Sequence, residues 1–205
     1  AHLGDSQARR LRPSSLSSRT SIHKMKLPDQ VKADQVVAGD LEAICQDLND
    51  EFGAMAGRCL MIAGGAGFLG YYLVQSALHW NRTRAGAAPI HVTVLDSFIR
   101  GMPAWLTSLG EDRNLTLIRH DVTVALPPEI GHQDYLIHAA SIASPIYYRK
   151  YPIETMDANI SGLRYMLDYG QRQRELGTPI AGMLFYSSSE IYGDPTPEHI
   201  PTPET

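Results

Sequence analysis

The sequence predicts an α/β fold built on a doubly wound parallel sheet, and three observations support this prediction. Short apolar runs alternate with amphipathic segments from residue 58 onward. A glycine-rich turn follows the first apolar run, and small or polar residues follow each later one. In such sheets, ligand-binding residues gather outside the carboxyl ends of the strands. The chain of 205 residues is long enough for one such domain and a shorter extension.

The N-terminal part of the chain differs in composition from the rest. Residues 1–30 alternate Arg and Ser and contain few large apolar side chains, which predicts a disordered tail. Residues 31–57 are expected to form a helical extension, with a helix over 40–53 that Asp40 caps and Gly53 ends. We expect this helix to pack on the outside of the following domain.

From residue 58 onward, the elements follow one another in strand and helix order. Periodicity of the apolar residues predicts five strands, at 59–63, 91–95, 115–118, 135–138 and 183–186, and helices at 68–82 and 152–174. The first of these helices is expected to pack through Phe68, Leu69, Tyr72, Leu73 and Ala77. Strands that alternate with helices favour a parallel arrangement.

The turn between the first strand and its helix has glycines at fixed offsets. Gly64 permits a tight turn, Gly67 permits close approach to a pyrophosphate, and Gly70 permits close helix packing. The helix that follows would offer free N–H groups and the positive end of its dipole to phosphates. The second strand ends at Asp96, where a ribose-binding carboxylate is expected. This pattern predicts a dinucleotide site.

Composition excludes several other classes of function. The net charge of −4 gives no general electrostatic basis for nucleic acid binding. No apolar run approaches the ~20 residues that span a bilayer. Cys45 and Cys59 lack the spacing of a zinc or redox motif, so we expect two buried thiols, no metal site and a cytoplasmic setting.

The residues after the later strands carry a specific resemblance. In order, they are Ala140-Ser141, Ala143-Ser144-Pro145, Tyr148, Pro152-Ile153, Thr155, Asn159, Gly162, Met166-Leu167 and Ser189-Glu190-Ile191-Tyr192-Gly193-Asp194-Pro195. With the glycine turn, they resemble the extended short-chain dehydrogenase/reductase family of NAD-dependent sugar-nucleotide epimerases and dehydratases, which has a Rossmann fold. Within it, the resemblance is closest to UDP-glucuronate decarboxylases. It covers residues 58–205.

The resemblance implies NAD as the cofactor. Asp96 would accept hydrogen bonds from the adenosine ribose and disfavour NADP, a preference that the nearby Arg100 could soften. Asp121 and Val122 would contact adenine, although Asp121 could equally be an ordinary turn acid. The implied cofactor residues are Gly64, Gly67, Phe68, Leu69, Gly70, Asp96, Arg100, Asp121, Val122, Ala139, Ala140 and Ser141.

The resemblance also implies a substrate side. Ser188 would bond the sugar C4 oxygen, Glu190 would be the acid of decarboxylases and dehydratases, and Ser189 could share the chemistry. The alternative is a hydroxyl-rich turn that caps the next segment. Ser144 and Tyr148 would border the substrate, or belong to a turn that only redirects the chain. His138 is expected to be a satisfied structural residue.

One expected feature of the family is missing. Its catalytic base is a Tyr four residues before a Lys, and no lysine of this chain has a Tyr at that spacing. We therefore expect a domain truncated after about its fifth strand, inactive alone, from an enzyme that decarboxylates UDP-glucuronate through a 4-keto intermediate. The alternatives are a 4,6-dehydratase or 4-epimerase, or, in another class, a non-catalytic NAD-binding module. The resemblance implies a UDP-sugar substrate and a homodimer.

Overall fold

A computed structural model describes residues 28–203 and shows a five-stranded sheet in the order β3-β2-β1-β4-β5. All four strand pairings are parallel. The strands are β1 (Cys59–Ala63), β2 (His91–Asp96), β3 (Leu115–Arg119), β4 (Tyr135–His138) and β5 (Gly182–Phe185). Each lies within one residue of its predicted bounds, which confirms the parallel α/β fold.

Helices lie before the first strand and between later strands, and they cover both faces of the sheet. They are α1 (Pro28–Asp47), α2 (Asn49–Met55), α3 (Phe68–Thr83), α4 (Ala104–Ser108), α5 (Pro145–Lys150) and α6 (Pro152–Glu175). Short 3-10 helices lie at Pro128–Ile130, Ser189–Tyr192 and Pro197–His199. None of the helices in this described part is long and apolar enough to cross a membrane.

The core has two layers because side chains of β1 alternate between the two faces of the sheet. Ile62 packs with Val94 and Leu78 on the face covered by α3. Met61 and Ala63 pack on the opposite face, with Met166 of α6. The three β1 side chains are fully buried, as expected for the central strand of a parallel sheet.

An ionic clamp holds the amino ends of β1 and β4. One carboxylate oxygen of Asp134 accepts the Cys59 N–H at 2.8 Å, and the other lies 3.5 Å from Arg58 and 3.4 Å from His132. Burial alone would raise the pKa of Asp134, but the hydrogen bonds from Cys59 and His132, together with the nearby charge of Arg58, lower it. The clamp therefore stabilises the charged carboxylate.

The N-terminal helix differs from its prediction. The helix predicted over 40–53 is two helices, α1 and α2, and α1 begins at Pro28, so residues 28–30 do not belong to the expected tail. Asp40 lies inside α1 and Gly53 lies inside α2, so neither acts as a boundary. Residues 29–39 lack apolar periodicity, but they contain no helix breaker except Gly39. Residues 1–27 lie outside the described part.

The packing face of α3 was only partly predicted. Ala77 is buried, but Phe68 is 88% exposed and Leu69 is 48% exposed. Both belong to the first turn of the helix, whereas the buried residues Val74, Ala77 and Leu78 come later and pack with the core. The expectation that Phe68 and Leu69 face the sheet is wrong.

Helix α6 has a second apolar face. The predicted apolar residue Met166 is buried, together with Ala158 and Tyr169. Met156, Ile160 and Leu167, from the same apolar pattern, are exposed. The apolar pattern of α6 therefore covers two faces of the helix, one buried against the sheet and one exposed.

The two cysteines are free thiols, as predicted. Cys45 is buried, whereas Cys59 is only half-buried. Burial raises the pKa of both thiols, which keeps them protonated and weakly reactive.

Candidate functional site

The order of the strands reverses at β1, and this reversal places a crevice beyond the carboxyl ends of β1 and β4. Strands β2 and β3 extend to one side of β1, and β4 and β5 extend to the other. Gly64 follows β1 with φ +78°, and a Cβ there would lie 2.7 Å from the backbone of Ala139 and Ala140. Only glycine therefore allows the two loops to meet at the base of the crevice.

The rest of the glycine turn is equally tight. The Gly67 N–H donates to the Gly64 oxygen at 3.0 Å. A Cβ on Gly70 would collide with the Gly65 backbone, and one on Gly65 would lie 2.9 Å from Val94. The sequence-based interpretation singled out Gly64, Gly67 and Gly70 but not Gly65.

The turn presents backbone donors at the start of α3. Phe68 is the first residue of the helix, so the N–H groups of Phe68 and Leu69 have no acceptor within it. The positive end of the helix dipole adds to these donors. The glycine turn thus forms a cradle that side chains in place of its glycines would fill, and N–H groups lie at its mouth. This shape fits the pyrophosphate of a dinucleotide. This is the observation that supports a bound NAD.

Asp96 lies at the end of β2, as predicted, and fixes the same turn. One of its carboxylate oxygens accepts the Ala66 N–H at 3.1 Å, and the other accepts the Phe98 N–H at 2.8 Å. Each carboxylate oxygen has further acceptor capacity, so these bonds leave room for ribose hydroxyls. Arg100 is exposed and lines a groove that Ala66 and Gly67 also line.

At the end of β3, Asp121 and Val122 make contacts within the protein that the resemblance does not imply. The Asp121 carboxylate accepts hydrogen bonds from the Thr123 N–H and hydroxyl, both at 2.9 Å. These bonds are those of an ordinary turn acid, the alternative given above. The Val122 side chain is only 9% exposed and packs in the core. A Cβ on Gly162 of α6 would lie 3.3 Å from it. Val122 therefore supports the loop from within the core.

The loop after β4 is held from two sides. The Ala139 N–H donates to the Ala63 oxygen at 2.9 Å, which continues the pairing of β4 with β1. The Asn159 side-chain amide donates to the Ser141 hydroxyl at 3.0 Å. Ala139 and Ala140 are half-buried and Ser141 is exposed. The predicted cofactor loop is therefore a fixed surface beside the glycine turn.

The substrate-side residues lie next to this loop in sequence and in the sheet. Ser144 precedes α5 and Tyr148 lies within it, 38% exposed. Ser188 follows β5, and its hydroxyl accepts the Glu190 N–H at 3.2 Å, so the capping alternative describes one role of this side chain. Ser188 and Glu190 are exposed, and the 3-10 helix that contains Glu190 begins at Ser189. The described contacts include none between the glycine turn and the side chains of Ser144, Tyr148, Ser188 or Glu190.

His138 is buried at the end of β4 and takes no part in the crevice surface. It is 1% exposed, and its Nε2 has no hydrogen-bond partner within the described part of the chain. Burial lowers the pKa of His138, so the ring is neutral at physiological pH. This burial agrees with the predicted structural role of His138.

Comparison with known proteins identifies the family. Residues 60–205 match the NAD dependent epimerase/dehydratase family. The chain belongs to this family. The epimerase/dehydratase assignment confirms the resemblance that the motifs predicted, and the family is described as NAD-dependent. Within residues 28–203, no group of His, Cys, Asp or Glu side chains could hold a metal ion.

Individual relatives of this epimerase/dehydratase chain are nucleotide-sugar enzymes. It is 35% identical to UDP-glucuronic acid decarboxylase 3 of Arabidopsis thaliana over 136 residues, which are 66% of the chain and 35% of that protein. It therefore spans about a third of the length of the curated relative.

Solved structures support the fold. UDP-N-acetylglucosamine 4-epimerase from Methanobrevibacter ruminantium M1, in complex with UDP-N-acetylmuramic acid, superimposes with a TM-score of 0.57 at 24% identity, over 74% of this chain and 44% of that one. DesIV, a dTDP-glucose 4,6-dehydratase from Streptomyces venezuelae with NAD and DAU bound, gives 0.53 at 24% identity, over 66% and 41%. These likenesses confirm the Rossmann-like architecture.

Proposed function

We propose that this chain is the cofactor-binding part of an NAD-dependent enzyme that decarboxylates UDP-glucuronate. The observation that carries the proposal is the position of Ser188 and Glu190. They follow β5, next to the strand whose loop meets the glycine turn, at the carboxyl edge of the sheet. The 35% identity to a UDP-glucuronic acid decarboxylase supports this choice of reaction.

In this proposal, the glycine turn holds the pyrophosphate of the dinucleotide, and Asp96 holds its adenosine ribose. The N–H groups of Phe68 and Leu69 face the pyrophosphate, and Gly64 and Gly67 leave space for it. The Asp96 carboxylate accepts from the ribose hydroxyls while it keeps its bond to Ala66. When bound, NAD would serve as the reversible acceptor of a hydride from the sugar.

The substrate side follows from the chemistry of the sugar. Oxidation at C4 gives up a hydride, and the hydroxyl proton goes to a base, which makes the C5 carboxylate a β-keto acid. Loss of CO2 leaves an enolate, which takes up a proton at C5. The hydride then returns to C4 with a proton on the C4 oxygen. Ser188 would hydrogen-bond the C4 oxygen, Glu190 would provide a carboxyl group, and Ser189, Ser144 and Tyr148 would border the sugar. Because no lysine here follows a tyrosine by four residues, we propose that the base lies outside these 205 residues.

Incubation of the full-length natural protein with NAD and carboxyl-labelled UDP-glucuronate tests the reaction. We expect labelled CO2 and a UDP-pentose. Turnover of a UDP- or dTDP-hexose without CO2 would instead favour the 4-epimerase or 4,6-dehydratase. Binding of NAD without any sugar-dependent NADH absorbance would favour the non-catalytic module.

A variant pair tests the role of Glu190. Glu190→Gln should lower the rate of CO2 release and leave NAD affinity unchanged. The matched control is Glu198→Gln, which removes another carboxylate that is exposed in a nearby 3-10 helix. Equal rates in the two variants would contradict a role for Glu190.

We also propose a homodimer, formed through the exposed face of α6. Ile153, Met156, Ile160 and Leu167 follow helical spacing and expose apolar surface, which a second copy would cover. Ile160→Glu should convert a dimer into monomers in light scattering. The control is Arg172→Glu, near the end of the same helix and to the side of this apolar stripe, where the side chain is already charged and exposed.

We place the protein in the cytoplasm. Its two free thiols support this location, since reducing compartments keep thiols unpaired. Fractionation of cells that express the full-length protein tests the location, and recovery in a secreted fraction would contradict it.

A further inference from the structure

The N-terminal helices lie outside the family-matched residues, and they pack along the middle of α3. Near the start of α3, the Tyr72 hydroxyl donates to an Asp40 carboxylate oxygen at 2.7 Å. In the middle, the Cys45 thiol donates to the main-chain carbonyl oxygen of Ser76 at 3.4 Å. Towards the end, Glu42 lies 3.2 Å from His79. The contacts therefore extend over more than two turns of α3.

The same helices share the main core of the domain. Leu41 and Cys45 of α1 and Phe52 of α2 are buried. The Phe52 ring stacks on Trp80 with ring centroids 6.2 Å apart. Cys45 and Phe52 belong to the hydrophobic cluster that contains Ile62 of the central strand. The extension is therefore part of the folded domain and not an appended segment.

Helix α1 also reaches the mouth of the glycine turn. Val37 forms one wall of a groove of about 490 Å³. The other lining residues come from the glycine turn, α3, the loop after β2 and α4: Ala66, Gly67, Phe68, Tyr71, Tyr72, Arg100 and Trp105. Tyr72 is thus both the anchor of α1 and a neighbour of the phosphate cradle.

We propose that the N-terminal extension positions the phosphate-binding turn, with the hydrogen bond between Asp40 and Tyr72 as its fixing contact. This inference rests on the proposed binding of NAD. Tyr72 is one turn beyond Phe68, so a rigid bond at Tyr72 limits the tilt of the turn that carries the Phe68 and Leu69 donors. Asp40 and Tyr72 are positioning residues, because they act through this turn.

Titration of the full chain with NAD tests the proposal. Tyr72→Phe removes only the hydroxyl, and Asp40→Ala removes only the acceptor, so each should raise the Kd for NAD about fivefold, as for the loss of one hydrogen bond. The double variant should be no weaker than either single variant. Asp40→Asn keeps an acceptor oxygen and should restore most of the affinity.

The matched control lies farther along the same interface. Glu42→Ala removes the contact with His79 and should change the Kd for NAD less than twofold, although it can lower the unfolding temperature. An equal rise of Kd in this control would overturn the proposal, since it would show a general effect of stability. An unchanged Kd in both Tyr72→Phe and Asp40→Ala would also overturn it.

Hydrogen exchange separates this inference from the proposed function. In the cofactor-free chain, Tyr72→Phe should speed amide exchange at residues 66–69 and leave residues 79–83 unchanged. If the wild-type chain failed to bind NAD, but Tyr72→Phe still sped exchange at residues 66–69, the proposed cofactor would be wrong and the positioning role would stand. Unchanged exchange at residues 66–69 would contradict positioning itself.

Discussion

The side-chain amide of Asn159 donates to the Ser141 hydroxyl at 3.0 Å and thereby fastens α6 to the loop that follows β4. The same amide also donates to the Thr155 oxygen of the preceding helical turn at 2.7 Å, which fixes its orientation. One side chain therefore joins the long helix on one face of the sheet to the crevice at its edge.

We expect Asn159→Ala and Ser141→Ala each to weaken NAD binding about fivefold, since a hydrogen bond contributes about 1 kcal/mol. Because they remove the same bond, the double variant should lose little more than either single variant. Isothermal titration of the four proteins measures this coupling. Fully additive losses would mean that the bond does not act on the cofactor loop.

Gly64→Ala should destabilise the fold by about 2–5 kcal/mol. The substitution combines a left-handed backbone, which costs about 1–2 kcal/mol, with a Cβ that overlaps the Ala139 backbone. Gly177→Ala is the matched control. Gly177 has φ +79° but nothing within 4 Å of its Cβ position, so it should lose only the backbone part. Thermal unfolding compares them, and equal losses would contradict close packing at Gly64.

Gly162→Ala should destabilise the protein by about 1–2 kcal/mol, although alanine favours helices. The added Cβ would lie 2.7 Å from the buried Nε2 of His138. Gly39→Ala in α1 meets nothing within 4 Å and should instead stabilise by about 0.5–1 kcal/mol. Urea unfolding measures both changes. Stabilisation by Gly162→Ala would show that the His138 ring moves freely.

The Asp134 clamp predicts a loss of stability in acid. Its pKa is lowered by folding, so the charged carboxylate contributes stability above the unfolded value of about 3.8, and this contribution disappears as pH falls through the lower folded value. We expect Asp134→Asn to be less stable than wild type at pH 6 and the difference to shrink below pH 4. A difference that stays constant with pH would contradict a charged clamp.

The strands and the glycine turn could be predicted because their signals are local. The run from Cys59 to Ala63 is apolar and ends in glycine, and such a run has few alternatives to a buried strand. The close approach of Gly64 to Ala139 agrees with the same pattern, but its partner could not be found from the sequence spacing alone. Parallel pairing brings them together.

The sequence could not reveal contacts that depend on tertiary packing. Phe68 and Leu69 match the apolar period of α3, yet they are exposed at its first turn. The start of α1 at Pro28 was missed because the first residues of this helix lack the apolar periodicity on which the prediction depended. Asp96 was assigned to a ligand, whereas its bonds to Ala66 and Phe98 show that it also builds the turn.

The clamp at Asp134 also constrains the order of events during folding. Asp134 and Cys59 are 75 residues apart in the chain, and their contact joins β4 to β1. Strands β1 and β2 can pair across the shorter connection that contains α3, whereas β4 must close the longer loop, at a greater entropic cost. Gly64 meets Ala139 only after that closure. The nucleotide cradle is therefore expected to be one of the last parts of this sheet to mature.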